Sequence, residues 1–496
     1  MIEVQNGYPH PRVHEAVLFP FDEASIPFTS GLRLHMVTSK ASGREALVVL
    51  PGPEGAPDDM RVRFYGAVIP SGDELRMWYM GAGSRDGYRA DRLCYAVSRD
   101  GVHWEKPALG LVEYNGSTQN NLVDLRNGAC DLLSVPVLYD PDEPDPQRRY
   151  KVAFECREYE KLLSVAFSPD GLRWTESPHN PVGPMLEMSG VIRHNDCYYI
   201  NGHGGFHFGT ARELVTCASY DFEHWTEATA RGFRRDPLPL LDMAGITTGR
   251  NAGEQVHLGA GLWDRGNVIL GVYDSWHGHP SGDRGLLTMD LGLVISHNAL
   301  HYHEPFPDFR LVPAIEEQGG DGALFPQEGL PPIIGGPALS HGQGMCNWGD
   351  ETLLWYSVWI TGGVRVARWK RDRLGCFRAF QPEELNRQPP ARWERGTRHC
   401  ITCPIQVSDT PARVHVNVAG LWEHSEITVE VLDEQFRPLP GYSGAACVPL
   451  REPGIRQPVV WKDRDSVGEI DGPFRLRVNF NGLRRDDAKL YAVYVA

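Results

Sequence analysis

A short phrase recurs along this chain and constrains its fold more than any other feature. Residues 98–104 read Ser-Arg-Asp-Gly-Val-His-Trp, residues 168–174 read Ser-Pro-Asp-Gly-Leu-Arg-Trp, and residues 219–225 read Ser-Tyr-Asp-Phe-Glu-His-Trp. A weaker copy, Ser-His-Asn-Ala-Leu-His-Tyr, occupies 296–302, so the copies start 70, 51 and 77 residues apart. Self-similarity at such a period marks a fold assembled from one repeated supersecondary unit. Ser-x-Asp-Gly is a tight turn, and the Trp three residues beyond it packs back over the strand it leaves. Most copies follow an apolar strand, as at 93–97, 163–167 and 292–295.

Between the phrases runs a second pattern of strand, polar turn and strand. It appears at 62–69 with 75–80, 132–139 with 150–154, 189–193 with 197–201, 255–263 with 267–273, and 345–348 with 352–359. The turns, such as Pro-Ser-Gly-Asp, His-Asn-Asp and Asp-Arg-Gly, have hairpin chemistry. Adding the strand before each phrase and one after it gives a four-stranded antiparallel unit. The pattern therefore predicts an all-β chain whose first part, residues 1–390, is a five-bladed β-propeller with an N-terminal extension over 1–55. The 53 glycines and 38 prolines suit so many turns. From about His399 the strands at 413–418, 427–432, 474–480 and 490–495 largely alternate with period two and carry no Ser-x-Asp-Gly phrase. They predict a C-terminal β-sandwich over 398–496, reached by a linker near 387–391.

The balance of 49 basic against 64 acidic residues, with no Lys/Arg run, argues against nucleic acid or an anionic membrane as a partner. Apolar stretches such as 46–50 fall far short of the ~20 residues that span a bilayer. With no basic and apolar leader at the start, a cytoplasmic protein is expected. The ten cysteines are scattered, and the close pair Cys400 and Cys403 is read as free thiols in a β-segment. No cofactor is expected, and no metal, since the His277/His279 pair lacks a third ligand.

The first strand of each propeller blade lines the central channel, and the N-terminal ends of these strands converge on one face. Acids at those starts therefore point into a shared pocket. In order they are Asp58 and Asp59, then Asp131, Glu187 and Glu254, while the fifth blade offers His341 and Gln343. Carboxylates gathered in one pocket repel, so their pKa values separate. Glycoside hydrolysis needs that separation, with one protonated acid for the leaving oxygen and one ionised group for the anomeric carbon or water. Arg63 on the first strand and His257 on the fourth blade's inner strand join the predicted substrate-binding set. His203, Trp276 and Trp359, on loops beyond second strands, suit a sugar with ring faces to stack on and hydroxyls to bond. Trp104, Trp174 and Trp225 are assigned to blade packing.

The order Asp, Asp, Glu at the inner strands of the first three blades resembles the five-bladed propeller glycosidases of families 32, 43 and 68. The trailing sandwich is similar to that of family 32. The chain departs from that family in lacking its Trp-Met-Asn-Asp-Pro-Asn-Gly and Arg-Asp-Pro motifs, so the resemblance is to a distant branch. It implies Asp59 or Asp58 as nucleophile or base, Asp131 as transition-state stabiliser and Glu187 as general acid/base. Glu155, paired with Cys156, precedes the second phrase and is out of order for the acid, so it stays outside this set. The expected activity is a glycosidase acting on a small glycoside or oligosaccharide, a furanoside among the options. The alternatives are a propeller glycoside phosphorylase, with Arg63, Arg250 and His341 for phosphate, and a non-catalytic carbohydrate-binding propeller.

Overall fold

The recurrent phrase closes the same turn each time. The computed structural model describes residues 1–39, 46–87, 90–204, 211–235, 251–314, 337–359, 363–379, 397–408, 411–468, 470–482 and 487–496. In the first copy the Ser98 hydroxyl accepts the Gly101 N–H at 2.8 Å, and Asp100 accepts those of Val102 and His103 at 2.8 and 2.7 Å. Ser168 with Asp170, and Ser219 with Asp221, repeat these bonds. Asn298 does the same for Leu300 and His301. The next residue takes a positive φ, +77° at Gly101 and +78° at Gly171, where glycine bears no Cβ penalty. Phe222 and Ala299 hold the same conformation at +68° and +57°.

Five four-stranded antiparallel sheets follow one another around a centre. Blade one is Arg61–Ser71, Glu74–Ala82, Asp91–Ser98 and Trp104–Glu105. Blade two is Val137–Tyr139, Tyr150–Phe154, Ser164–Ser168 and Thr175–Glu176. Blade three is Glu187–His194, Cys197–Gly204, Glu213–Ser219 and Ala230–Phe233, and blade four is Gly253–Asp264, Ile269–Gly278, Thr288–Ser296 and Arg310–Val312. Blade five has Leu339–Trp348, Glu351–Val358 and Val364–Lys370, and takes its fourth strand, Leu47–Val49, from the N-terminal side. A strand from one end of the ring thus completes the sheet at the other and removes an open edge. The inner strands of blades five and one also meet in parallel at Gln343 and Ala67. This is the expected all-β, five-bladed propeller.

The phrases latch neighbouring blades as well as closing turns. The Gly101 carbonyl accepts the indole N–H of Trp104 at 3.0 Å and of Trp355, in blade five, at 2.9 Å. The Gly171 carbonyl of blade two accepts Trp78 of blade one at 2.7 Å.

Two six-stranded sheets form the sandwich. Its core strand Phe474–Asn481 alternates buried and half-buried residues, as a sheet with one dry face must. Strand pairing distributes the N-terminal extension, placed with the propeller on sequence grounds, between both parts of the molecule. Ile2–Val4, Ala16–Leu18, Phe28–Ser30 and Leu32–Met36 all pair within the sandwich sheets, as does Gly375–Ala379. These short segments cover sheet edges and bury Ile2, Val4, Ala16 and Leu18 in the sandwich core, which no local pattern at their own positions discloses. The predicted linker at 387–391 lies outside the described residues.

Inner strands crowd one another at the centre. A Cβ on Gly190 would stand 2.2 Å from the Ala260 carbonyl oxygen, and one on Gly261 would stand 2.3 Å from that of Gly342. Four of the five inner strands are bulged beside these close approaches, between Arg63 and Ala67, Met188 and Gly190, His257 and Ala260, and His341 and Met345. A bulge re-aims the side chains that flank it. Arg63, His257 and His341, all predicted from sequence, each stand immediately before one.

Candidate functional site

The first-blade aspartates are committed elsewhere. Asp58 is buried and accepts the Tyr79 hydroxyl at 2.6 Å and the Lys106 ammonium at 2.5 Å. Asp59 accepts the N–H groups of Gly55 and Ser84 at 2.7 and 2.6 Å and the Ser84 hydroxyl at 2.8 Å. One is an internal ion pair and the other a loop cap, so neither joins the predicted carboxylate cluster. Asp131 accepts the Arg157 N–H at 3.1 Å and bridges, through its backbone, to Asp91. Its Oδ2 thus holds a connection. Aspartate at a strand start serves backbone donors readily, and that outcome prevails in blades one and two.

Glu187 is placed differently. It opens the inner strand of blade three with its side chain 38% exposed, and His203 lies opposite it in register, with Nδ1 3.3 Å from Oε2. Next to His203 stands His257, their rings 6.1 Å apart and nearly parallel. Trp276 and Trp359 flank His257 at 5.7 and 5.1 Å between ring centres. Glu187, His203, His257, Trp276 and His341 were all singled out from sequence, and the fold gathers them, but Trp276 lies within the strand Ile269–Gly278 and is fully buried, so it offers no ring face to a sugar.

Asp274, fully buried in the second strand of blade four, organises the histidines. It accepts His257 Nδ1–H at 2.9 Å, the His341 backbone N–H at 2.9 Å, His341 Nδ1–H at 2.5 Å and the Ser340 hydroxyl at 3.3 Å. Each imidazole thus keeps Nε2 as an acceptor, and that of His341 receives the Ser189 hydroxyl. Ser189, His341 and Asp274 have the connectivity of a hydrolase triad, but Ser189 and His341 are both buried. A nucleophile needs an open approach, so this chain fixes His341 and Asp274, which in turn orient His257.

A second carboxyl stands behind Glu187. Glu155, one residue past the second strand of blade two, is 1% exposed, and neither of its side-chain oxygens has a hydrogen-bond partner. Burial and then repulsion from Glu187 push its pKa well up. Burial acts upward on Glu187 as well, but His203, His257 and Arg212 outweigh it and hold that carboxyl below its usual range. Adjacent carboxyls driven in opposite directions form a pair that carries one proton between two sites. His257 is lowered by burial, against the pull of Asp274. Asp274 is itself lowered, since His341 and His257 overcome the upward push of burial.

Cations surround this pair. Arg63 and Arg61 both grip the buried Asp91, Arg61 at 2.7 Å, and Arg63 lies over the Tyr65 ring at 4.8 Å. Burial raises the Tyr65 phenol, with further contributions from Asp274 and Glu187. Arg212 stacks on Trp276 at 4.4 Å and bonds the Gln255 side chain at 3.2 Å. Arg284 stacks on both Trp276 and Trp359. Glu254 stands apart at the rim of blade four, tied to Arg235 and to His277. His277 bridges on to Asp290 at 2.8 Å, and these acids, overcoming burial, raise its pKa to about 9. Arg250 lies outside the described residues.

Sequence reasoning set Glu155 aside for its order and did not find Arg212 or Arg284. Glu155 belongs to a second strand, and the logic of inner-strand starts does not reach it. Arg284 comes from the single 3₁₀ turn Arg284–Leu286, whose local sequence carries no motif. Among the described residues, no group of three His, Cys, Asp or Glu is disposed to hold a metal. The far ends of the inner strands open into a second cavity of about 650 Å³ lined by Val68, Leu138, Val191 and Leu262. The charged groups there are matched, with Arg193 meeting Asp140, Asp142 and Asp196.

No protein-family model matches the chain. Two uncharacterized proteins of Mycobacterium tuberculosis, from strains CDC 1551 / Oshkosh and H37Rv, are each 29% identical to it over 163 residues, 30% of this chain and 49% of theirs. The chain thus spans about half the length of these curated relatives. Among solved structures it is similar to a glycosyl hydrolase from Bacteroides ovatus, at 16% identity and TM-score 0.43, covering 68% of this chain and 96% of that one. It is also similar to the fructofuranosidase of Schwanniomyces occidentalis, at 10% identity and TM-score 0.39, covering 92% and 99%. None of these likenesses assigns a catalytic residue or a substrate.

Proposed function

We propose that this chain is a glycoside-cleaving enzyme whose reaction centre lies at the converging N-terminal ends of the inner strands, with Glu187 as the proton-transferring carboxyl. The observation that carries this reading is the Glu155–Glu187 pair. A half-exposed carboxyl of lowered pKa backed by a buried one of raised pKa keeps a proton beside the group that can exchange it with a leaving oxygen. Trp359, half-buried, supplies a face for a sugar ring with the fully buried Trp276 packed beside it, and His257, held by Asp274, supplies an acceptor for a hydroxyl or an attacking water. In this reading Glu155 is the second carboxyl of the centre, in place of the Asp131 that family resemblance made the transition-state stabiliser. The sandwich braces the ring, and the ten cysteines, all free, suit a reducing cytoplasm.

A screen of aryl glycosides and short oligosaccharides on the wild type beside Glu187→Gln tests the proposal. Cleavage by the wild type that the variant loses supports it. Sugar binding without turnover in either protein would make this a carbohydrate-binding propeller. Cleavage at equal rates in both would remove Glu187 from the reaction.

A further inference from the structure

We infer that the pocket receives an anionic group, a free phosphate or the acidic substituent of a sugar, and that Arg284 is the residue that meets it. The inference rests on the reading of this pocket as a glycoside site and names the class of ligand it takes.

The sign of the local charge is the first argument. The chain as a whole carries −15. Around Glu187, however, stand Arg63, Arg212 and Arg284, and Lys161 acts electrostatically on both Glu155 and Glu187. An acidic protein that gathers cations in one cleft concentrates anions there.

The state of Arg284 is the second. Its guanidinium lies 5.7 Å from the centre of the Trp276 ring and 5.1 Å from that of Trp359. Its Nε is buried without a partner, and among the described residues the side chain makes no hydrogen bond or ion pair. Stacking uses the faces of a guanidinium and leaves its N–H fork, which lies in the plane, unused. A half-buried guanidinium whose Nε has lost water without gaining a partner is costly to maintain. Glu187 is close enough to influence Arg284 electrostatically, but it does not bond to it.

Ligand chemistry follows from that fork. A neutral sugar closing over Trp359 would dry the pocket further and leave the arginine unpaired. A carboxylate or phosphate matches the fork with two charge-assisted bonds. Both sources share this chemistry, and they separate in the assay.

Titration calorimetry on the intact chain with inorganic phosphate, with glucuronate and galacturonate, and with glucose tests the inference. The wild type is expected to bind at least one anion, with an affinity that falls as salt rises. Arg284→Met should weaken that anion about tenfold or more, and Arg284→Lys by less, because it keeps the charge and loses the fork. Phosphate binding together with phosphate-dependent cleavage identifies phosphate as the ligand, and uronate binding with phosphate-independent cleavage identifies an acidic sugar. The inference is overturned if the wild type binds neither anion, or if a folded Arg284→Met protein, checked by its thermal transition, binds as the wild type does. Binding is read without turnover, so anion binding lost in Arg284→Met with no glycoside cleaved would retain this site and reject the glycosidase reading.

Discussion

Two places in this molecule bury a carboxylate close to arginine, and they treat it in opposite ways. At the seam between propeller and sandwich, Asp372 is fully buried. It accepts from Arg265 of blade four, from Asn347 of blade five at 2.9 Å and from the Tyr494 hydroxyl of the sandwich at 2.8 Å. Arg265 and Asn347 outweigh the upward push of burial and hold Asp372 below the usual range. At the propeller centre, Glu155 is almost as buried and has no hydrogen-bond partner among the described residues, while Arg284 nearby is a half-buried cation with none among them. A saturated buried charge joins elements, because each lone pair is matched across a different interface. An unsaturated one keeps free energy in reserve for something that arrives later, and the fold tolerates it only where a ligand or a proton completes it.

The largest expected effect lies in the reactive half of this contrast. Glu187→Gln should lower turnover of any cleaved glycoside by roughly 10²–10⁴-fold, the range for losing a positioned acid/base, while sugar affinity changes little. A fall in affinity with unchanged turnover would make Glu187 a binding residue. Next comes the seam. Asp372→Ala leaves Arg265 buried beside an empty place and should cost about 3–5 kcal/mol in denaturant unfolding. Turnover of the protein that remains folded should not change, and a parallel loss of both would erase the distinction between the two regions.

Glu155→Gln should be legible as a pH effect. The folded pKa of Glu155 lies above its unfolded value, so the stability it contributes is full below the unfolded pKa, about 4.3, and is lost as pH rises. The variant has no such loss. Its stability relative to wild type should therefore climb as pH rises above about 4, by at most about 1.4 kcal/mol per pH unit. A flat difference across that range would mean that Glu155 is not held neutral. Smallest of all, Asp59→Ala removes a loop cap and should cost about 1 kcal/mol with turnover unchanged. A large loss of turnover would restore Asp59 to the catalytic role that family resemblance suggests.

Much of the architecture was legible because it is written locally. Ser98 and Asp100 bond residues within five positions of themselves, and the hairpins at 62–80 and 255–273 close through turns of a few residues. Glu187 was legible because an acid at an inner-strand start is aimed by the strand itself. Asp59 satisfied the same rule and was claimed by Gly55 and Ser84, two donors in the loops beside it. Nothing in the string distinguishes these fates, since a carboxylate near loop N–H groups and one near a cluster of histidines look alike before folding.

The sequence by itself therefore determined five blades, a following sandwich and an acid at the start of the third inner strand. These depend on turn chemistry and side-chain alternation, which act over a few residues. Only the tertiary structure decided that Leu47–Val49 closes the ring and that residues near the N-terminus complete the sandwich. It also paired Glu155 with Glu187 and set Arg284 on two tryptophans. Those outcomes depend on burial and on charges brought together from distant parts of the chain, and such terms exist only once the ring has closed.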